Sequence, residues 1–286
     1  MRFLVFGAGG LVGGQLARRG PTHGFEVVAL TRAEADLERP ETLAAAIADH
    51  APDAVINAAA YTAVDKAEAE EGRALAVNAE APRAMAVACR ELGVPFLHIS
   101  TDQVFSGEGA RAWREDDPTD PVNAYGRSKA RGEILALEAW ARTLVVRTSW
   151  VFGPGGRNFV QSLAAAARTK PQLDLVDDQV ARPTFSGDLA EFLLGAAAAL
   201  AGGAERYGLL HYANAEPVTR FDFGAAVIEA AGIEPRPALR PVPTSAFPTP
   251  ARRPLNCVLD LGRLERVWGM TPRSWRPGLA ETLAEG

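Results

Sequence analysis

Tyr125 and Lys129 stand four residues apart in the run NAYGRSKARGE, a spacing that puts both on one face of a helix, one turn apart. The chain uses both residue types sparingly: it has four tyrosines, and its only lysines are Lys66, Lys129 and Lys170. A phenol is a poor acid at neutral pH, with a pKa of about 10. An ammonium held beside it favours the phenolate and lowers that value, so the pair can pass a proton to or from an oxygen during carbonyl chemistry. The competing reading is an exposed helix on which the two side chains snorkel together. A third group bears on the choice. Thr101, in Ser100-Thr101-Asp102-Gln103-Val104-Phe105, follows an apolar run at the point where a catalytic hydroxyl would sit. Thr101 can donate to a carbonyl oxygen while Tyr125 protonates it.

These residues need elements to hold them. Apolar runs at 3–6, 26–30, 54–57, 95–99 and 144–147 read as strands, and helical patterns at 11–19, 41–49, 72–92 and 125–141 fill the gaps. Strands alternating with helices predict a doubly wound parallel sheet of the Rossmann type, with near-continuous apolar strands buried on both faces. The second half reads as a smaller C-terminal α/β lobe. It has helices at 158–168, 186–201 and 221–231, a strand at 209–213, a proline-rich extended or looped tract at 235–254, and a last helix at 279–284. The expected division is 1–150 for the dinucleotide domain and 151–286 for the substrate lobe, with the boundary approximate and crossings of the chain between the lobes allowed.

The first strand runs into GAGGLVGG, where Gly7, Gly10 and Gly13 fit G-x-x-G-x-x-G at the opening of a helix. Glycine permits the tight turn and close backbone approach, and the helix N-terminus receives a pyrophosphate. NAD sites usually carry an acid at the end of the second strand. Here the strand ends Ala29-Leu30-Thr31-Arg32, so Arg32 either pairs with a 2′-phosphate or is a solvated strand-end arginine. The first reading favours NADPH over NADH. Asp36 and Leu37 can then meet the adenine. The third strand ends in Asn57-Ala58-Ala59-Ala60, small side chains that leave room for a ligand at the sheet crevice. Lys129 can hold the nicotinamide ribose.

Bulk properties narrow the function. A net charge of −5 with both signs interspersed argues against a nucleic-acid surface or a membrane-binding stripe. No apolar run approaches the roughly 18 residues of a membrane span. The chain opens directly on a strand with no secretory pattern, and Cys89 and Cys257 fit no metal or redox spacing. A cytoplasmic protein with reduced, structural thiols and no bound metal is expected.

Together these segments resemble the extended short-chain dehydrogenase/reductase superfamily, most closely its dTDP-4-dehydrorhamnose reductase family. The resemblance spans essentially the whole chain: FGAGGLVG, NAAAYTAVDKAE, ISTDQVF, NAYGRSK, RTSWVFG with Asn158-Phe159 after it, ARPT at 181–184 and PTPARRPLN at 248–256. It implies NADPH-dependent reduction of the 4-keto group of dTDP-4-dehydro-L-rhamnose, with Thr101, Tyr125 and Lys129 as the catalytic trio. It places Gly10, Leu11, Val12, Asp36, Leu37, Ala59, Ala60, Tyr61, Tyr125 and Lys129 at the cofactor. It places Thr101, Asp102 and Trp150 at the sugar nucleotide, with Gln103 and Asn158 in the same motifs. From the residues alone, Trp150 is either a platform for a sugar or base or part of the core. Arg182 and Arg252 or Arg253 either clamp a diphosphate or are surface arginines. Gln103 stands where the family commonly has tyrosine, which leaves the sugar open. Gln15 on the first helix stands where some members carry a magnesium-bridging glutamate, so a monomer or a metal-free homodimer is expected. Two other readings remain: a sugar-nucleotide epimerase or dehydratase sharing the trio, and a non-catalytic NADP-binding subunit resembling the regulatory subunit of methionine adenosyltransferase.

Overall fold

The computed structural model describes residues 1–156 and 158–285. The first half runs Arg2–Phe6 (β1), Leu11–Arg19 (α1), Glu26–Leu30 (β2), Leu43–His50 (α2), Ala54–Asn57 (β3), Val64–Ala67 (α3), Glu71–Leu75 (α4), Ala81–Leu92 (α5), Phe96–Thr101 (β4), Ala124–Ala139 (α6) and Thr143–Thr148 (β5). The second half runs Val151–Phe152 (β6), Phe159–Ala167 (α7), Gln172–Val176 (β7), Val180–Ala181 (β8), Thr184–Phe185 (β9), Ser186–Ala201 (α8), Gly208–His211 (β10), Val218–Thr219 (β11), Arg220–Ala230 (α9), Ala238–Val242 (β12), Asn256–Cys257 (β13), Gly262–Trp268 (α10) and Arg276–Ala284 (α11).

Six strands form a parallel sheet in the order β10-β5-β4-β3-β1-β2. The runs expected to be strands are apolar throughout because both faces are covered. Phe3, Val5, Ile56, Leu97 and Val146 face the side packed by Leu16 of α1 and by Leu189 and Leu193 of α8. Leu4, Phe6, Val55 and Phe96 face the side packed by Ile47 of α2, Met85 of α5 and Ala136 of α6. Each such leucine or phenylalanine, fully withdrawn from water, contributes about 1.5–3 kcal/mol. A second core gathers Phe152, Leu163, Leu175, Phe185, Phe223 and Trp275 beneath the shorter sheets.

The structure adds three details to the pattern reading. The helix expected over 72–92 is interrupted: Ala76–Glu80 winds as a π turn between α4 and α5. The reason is Asn78, whose Oδ1 accepts from Tyr61 N at 2.8 Å and whose Nδ2 donates to the Ser128 hydroxyl at 2.9 Å. The extra residue turns this buried amide inward to tie three segments together. The proline-rich tract is extended, as expected, over β12, which pairs in parallel with β7 in a two-stranded sheet. Pro241 is tolerated in such a sheet, where both strands are edges. Finally, β10 belongs to the main sheet beside β5, so the chain returns there after residue 151.

Candidate active site

The turn after β1 is built for close approach. Gly7 takes φ +93°, and a Cβ there would sit 2.8 Å from Ala59 N, so the turn lies directly on the Asn57-Ala58-Ala59-Ala60 strand end. A Cβ on Gly13 would lie 2.0 Å from the Gly7 carbonyl oxygen, so α1 enters the turn only with glycine there. Gly10 caps α1 without any side-chain bond. The free N–H groups of the first turn, including those of Leu11 and Val12, therefore face outward as an anion cradle. This cradle fits a dinucleotide pyrophosphate.

At the end of β2 Arg32 is an exposed side chain held by Glu38 and by Asp36, whose Oδ1 lies 3.4 Å away. Thr31 donates its hydroxyl to Glu34 at 2.7 Å. Leu37 is buried, and Tyr61 hydroxyl donates to Glu70 at 3.0 Å beneath the Arg73 guanidinium. The strand end thus holds Arg32 in a network in which Glu38 also accepts from Arg73 at 2.8 Å, a feature the strand-end reading did not include.

α6 presents Tyr125 and Lys129 to the sheet because of its own glycines. A Cβ on Gly126 would lie 2.2 Å from Gln103 O and one on Gly132 1.9 Å from Asn78 O, so the helix lies flush on the turn after β4 and on the π turn. Asn123 caps it by accepting from Gly126 N at 2.8 Å, while its Nδ2 donates to Gln103 Oε1 at 3.0 Å and to Arg252 O at 2.9 Å. Glu68 accepts from Ala124 N at 2.7 Å. Farther along, Glu133 pairs with Arg147 of β5 at 2.9 and 2.7 Å, both residues buried. Such a pair clamps α6 to the sheet, and breaking one partner costs about 3–5 kcal/mol.

Thr101, Tyr125 and Lys129 are buried together. Burial pushes the Tyr125 phenol up to about 12, with the Thr101 hydroxyl pulling the other way. The expected lowering by Lys129 is absent, because the Lys129 Nζ is turned to the Ile99 carbonyl at 2.7 Å and to His98 Nε2 at 3.2 Å. Tyr125 is therefore held protonated, as a proton donor must be. Thr101 gives its one hydroxyl proton to Asp102 Oδ1 at 2.8 Å and accepts from Gln103 N at 3.2 Å. Donation to a carbonyl requires the hydroxyl to turn away from Asp102. The second Asp102 oxygen, Oδ2, is buried without a partner, and burial raises the carboxyl to about 6.

Beside the trio opens a cleft of about 200 Å³ whose lining includes Asp102, Gln103, Trp150, Arg220, Arg253 and Cys257. Arg220 was not among the residues read as functional. Its guanidinium lies 3.7 Å over the Trp150 ring and 4.6 Å over Phe159. Among the described residues no carboxylate hydrogen-bonds it; Asp102 acts on it only through space, and burial lowers it to about 10. Arg253 gives Nη2 to Asp65 at 2.8 Å and leaves Nη1 buried without a partner. Trp150 takes φ +41°, a strained conformation for so bulky a residue, and so holds its ring toward Arg220. Nothing in the pattern around Thr219-Arg220-Phe221 marks this arginine; only the fold brings it to the trio. Arg182 lies elsewhere, with Nε on Leu259 O at 3.1 Å, and Asn158 caps α7 while donating to Gly153 O at 2.7 Å. A larger groove of about 620 Å³ between residues 167–171 and 231–237 shares no residue with this site.

A glycine turn shaped for a phosphate on an open parallel sheet, with a threonine at a neighbouring strand end and a protonated tyrosine and a lysine on the helix packed beside it, has the architecture of a dinucleotide-dependent oxidoreductase of the short-chain type. Comparison with known proteins narrows the class. A family model described as RmlD substrate binding domain matches residues 1–286, and the chain belongs to that family. It is 42% identical over 289 residues, 96% of each chain, to the dTDP-4-dehydrorhamnose reductase of Burkholderia thailandensis. It is 39% identical to the enzyme of the same name from Streptomyces griseus, over 99% of this chain and 93% of the relative. Among solved structures, dTDP-4-dehydrorhamnose reductase from Bacillus anthracis in complex with NADP superposes with a TM-score of 0.92 at 29% identity, covering 100% of this chain and 99% of that one.

Proposed function

We propose that the protein reduces the 4-keto group of dTDP-4-dehydro-L-rhamnose to give dTDP-L-rhamnose, with NADPH as reductant and NADH as a weaker substitute, in the cytoplasm. The observation that carries this reading is a cleft lined by Asp102, Arg220 and Arg253 beside the strand end that carries Thr101: Asp102 Oδ2 and Arg253 Nη1 are buried there without partners, and the buried, protonated Tyr125 lies within electrostatic reach of Asp102. Buried polar groups without partners mark a site completed by a ligand. Two guanidinium groups fit a diphosphate, and a buried carboxyl beside a phenol fits a sugar carrying a carbonyl and hydroxyls.

The glycine turn and α1 N-terminus would hold the cofactor pyrophosphate, and Arg32 would exchange Asp36 and Glu38 for a 2′-phosphate. When bound, the cofactor supplies a hydride to the carbonyl carbon. Tyr125 gives its proton to the carbonyl oxygen as negative charge develops there. Thr101, released from Asp102, donates to the same oxygen. Trp150 and Phe159 sandwich Arg220, so the cation that grips the diphosphate meets it with its direction already fixed. A dehydratase reading is weaker because Asp102 is followed by Gln103, whose amide oxygen is tied up by Asn123.

The test is oxidation of NADPH and of NADH by the purified protein with dTDP-4-dehydro-L-rhamnose, the product being identified by chromatography. Stoichiometric NADPH consumption with dTDP-L-rhamnose formed supports the reading. Tight NADPH binding without turnover of any keto sugar nucleotide would favour a binding subunit instead.

A further inference from the structure

Behind the lysine of the trio lies a buried chain of hydrogen bonds whose direction can be worked out. Ala59 N donates to Asn57 Oδ1 at 3.0 Å, and a backbone N–H can meet only the oxygen of an amide. The Asn57 amide is thereby fixed, with Nδ2 toward His98 Nδ1 at 3.2 Å. Nδ2 is a donor, so His98 Nδ1 must accept. His98 is fully buried, and that burial keeps it well below the ordinary imidazole range, so the ring is neutral. Its single proton therefore sits on Nε2, which faces Lys129 Nζ at 3.2 Å. Nζ already donates to Ile99 O at 2.7 Å. A neutral amine completes this chain, because its lone pair accepts the Nε2 proton. An ammonium would set two N–H donors face to face. The other arrangement, with the imidazole proton on Nδ1, would point it at the Asn57 amide hydrogens.

We infer that His98, locked by Asn57 as its Nε2–H tautomer, is a positioning residue that disfavours the ammonium form of Lys129 in the free protein and so loosens its hold on the proton. The titratable and charged groups around this part of α6 are His98 from β4, Asp102 from the turn after it, Arg147 from β5, and Tyr125 and Glu133 on α6 itself. Glu133 favours the ammonium but is engaged by Arg147, and burial outweighs it. A ligand that brings acceptors to Nζ then favours the ammonium form again. That consequence rests on the cofactor reading above; the charge state of the free protein does not.

The chain has only three lysines, which makes the inference directly measurable. Protein labelled with 13C at lysine Cε gives three resonances, and Lys129→Arg identifies the one that matters. Lys66 and Lys170 are exposed and serve as the comparison resonances. Lys129 should titrate at about 8. Asn57→Asp keeps the acceptor for Ala59 N but turns its second oxygen to His98 Nδ1, which reverses the chain and aims the Nε2 lone pair at Lys129. The Lys129 midpoint should then rise by about one pH unit or more. His98→Gln, which can present an amide oxygen to Nζ, should raise it likewise and serves if the aspartate variant does not fold. Titration of Lys129 together with the other two lysines overturns the inference. So does a midpoint unmoved in a folded variant. Neither outcome bears on the reaction, because no substrate or cofactor is present in the measurement.

Discussion

Replacing Asp102 with asparagine should shift the stability of the fold in a pH-dependent way that identifies its cause, while weakening the enzyme. Asp102 is 3% exposed, its Oδ2 has no partner, and burial moves its carboxyl from 3.8 to about 6. A folded-state value above the unfolded one means that the native protein holds this proton more tightly. Ionised Asp102 therefore costs stability at neutral pH, and the cost is relieved as pH falls through 6 toward 4. With these two values the linkage relation gives a penalty of about 3 kcal/mol at pH 7.5 and about 1 kcal/mol at pH 4.5. The asparagine variant would carry no charge at this position but would bury an unsatisfied N–H, a cost of about 1–3 kcal/mol that does not change with pH. The net effect at one pH is thus ambiguous, but the difference between the two pH values is not. The advantage of D102N over the parent should be about 2 kcal/mol larger at pH 7.5 than at pH 4.5. Urea unfolding of both proteins at both pH values measures it, with m-values checked for constancy. A double difference near zero would refute the burial argument, as would one of opposite sign. Turnover should fall in parallel, since Thr101 loses the charged partner that fixes its hydroxyl.

Tyr125→Phe should leave NADPH binding intact and lower kcat by about 10²–10⁴-fold, read in the NADPH oxidation assay. Near-full activity would remove Tyr125 from the reaction. Arg220→Ala should raise KM for the dTDP-sugar by about 10–150-fold with kcat less affected, the equivalent of charge-assisted bonds of about 1.5–3 kcal/mol. It should not destabilise the fold through a lost ion pair, because none holds it. Gly13→Ala drives a methyl to 2.0 Å from the Gly7 carbonyl, so the turn must open; NADPH affinity, followed by fluorescence, should be lost and Tm lowered.

Much of the large sheet was legible because its strands are largely apolar on both faces and two of its helices, α1 and α6, begin at Gly10 and Asn123, signals that survive in a linear reading. Gly7, Gly10 and Gly13, Thr101, and the Tyr125 and Lys129 pair lie at strand ends or on one helix face, where spacing alone places them. The short strands β8, β11 and β13 carry two residues each and make no periodicity to read. Their pairing depends on tertiary context. Arg220 was invisible for a different reason: it reaches the trio by folding across the chain, and an arginine opening a helix has no local mark. His98 and Asn57 sit inside strands that read as plain hydrophobic runs. Their roles follow from hydrogen-bond direction, which no pattern of residue types contains. The phenol of Tyr125 illustrates the same limit. Sequence pairs it with a lysine, but the direction in which its proton affinity moves is set by burial and by where Nζ points.

The place of β10 at the edge of the main sheet has a consequence for how the molecule must be made. The first five strands leave the ribosome before the segment that pairs with β5 exists, and α8, whose leucines cover one whole face, emerges later still than β5. Until residue 211 is free, the nascent sheet has an open edge and a bare apolar side. The lobe that carries Arg220 lies beyond that point in synthesis. A fragment ending near residue 150 is therefore not a separable nucleotide-binding module but an unfinished one, and the walls of the cleft are joined by several passes of chain, which leaves no single hinge about which they can swing.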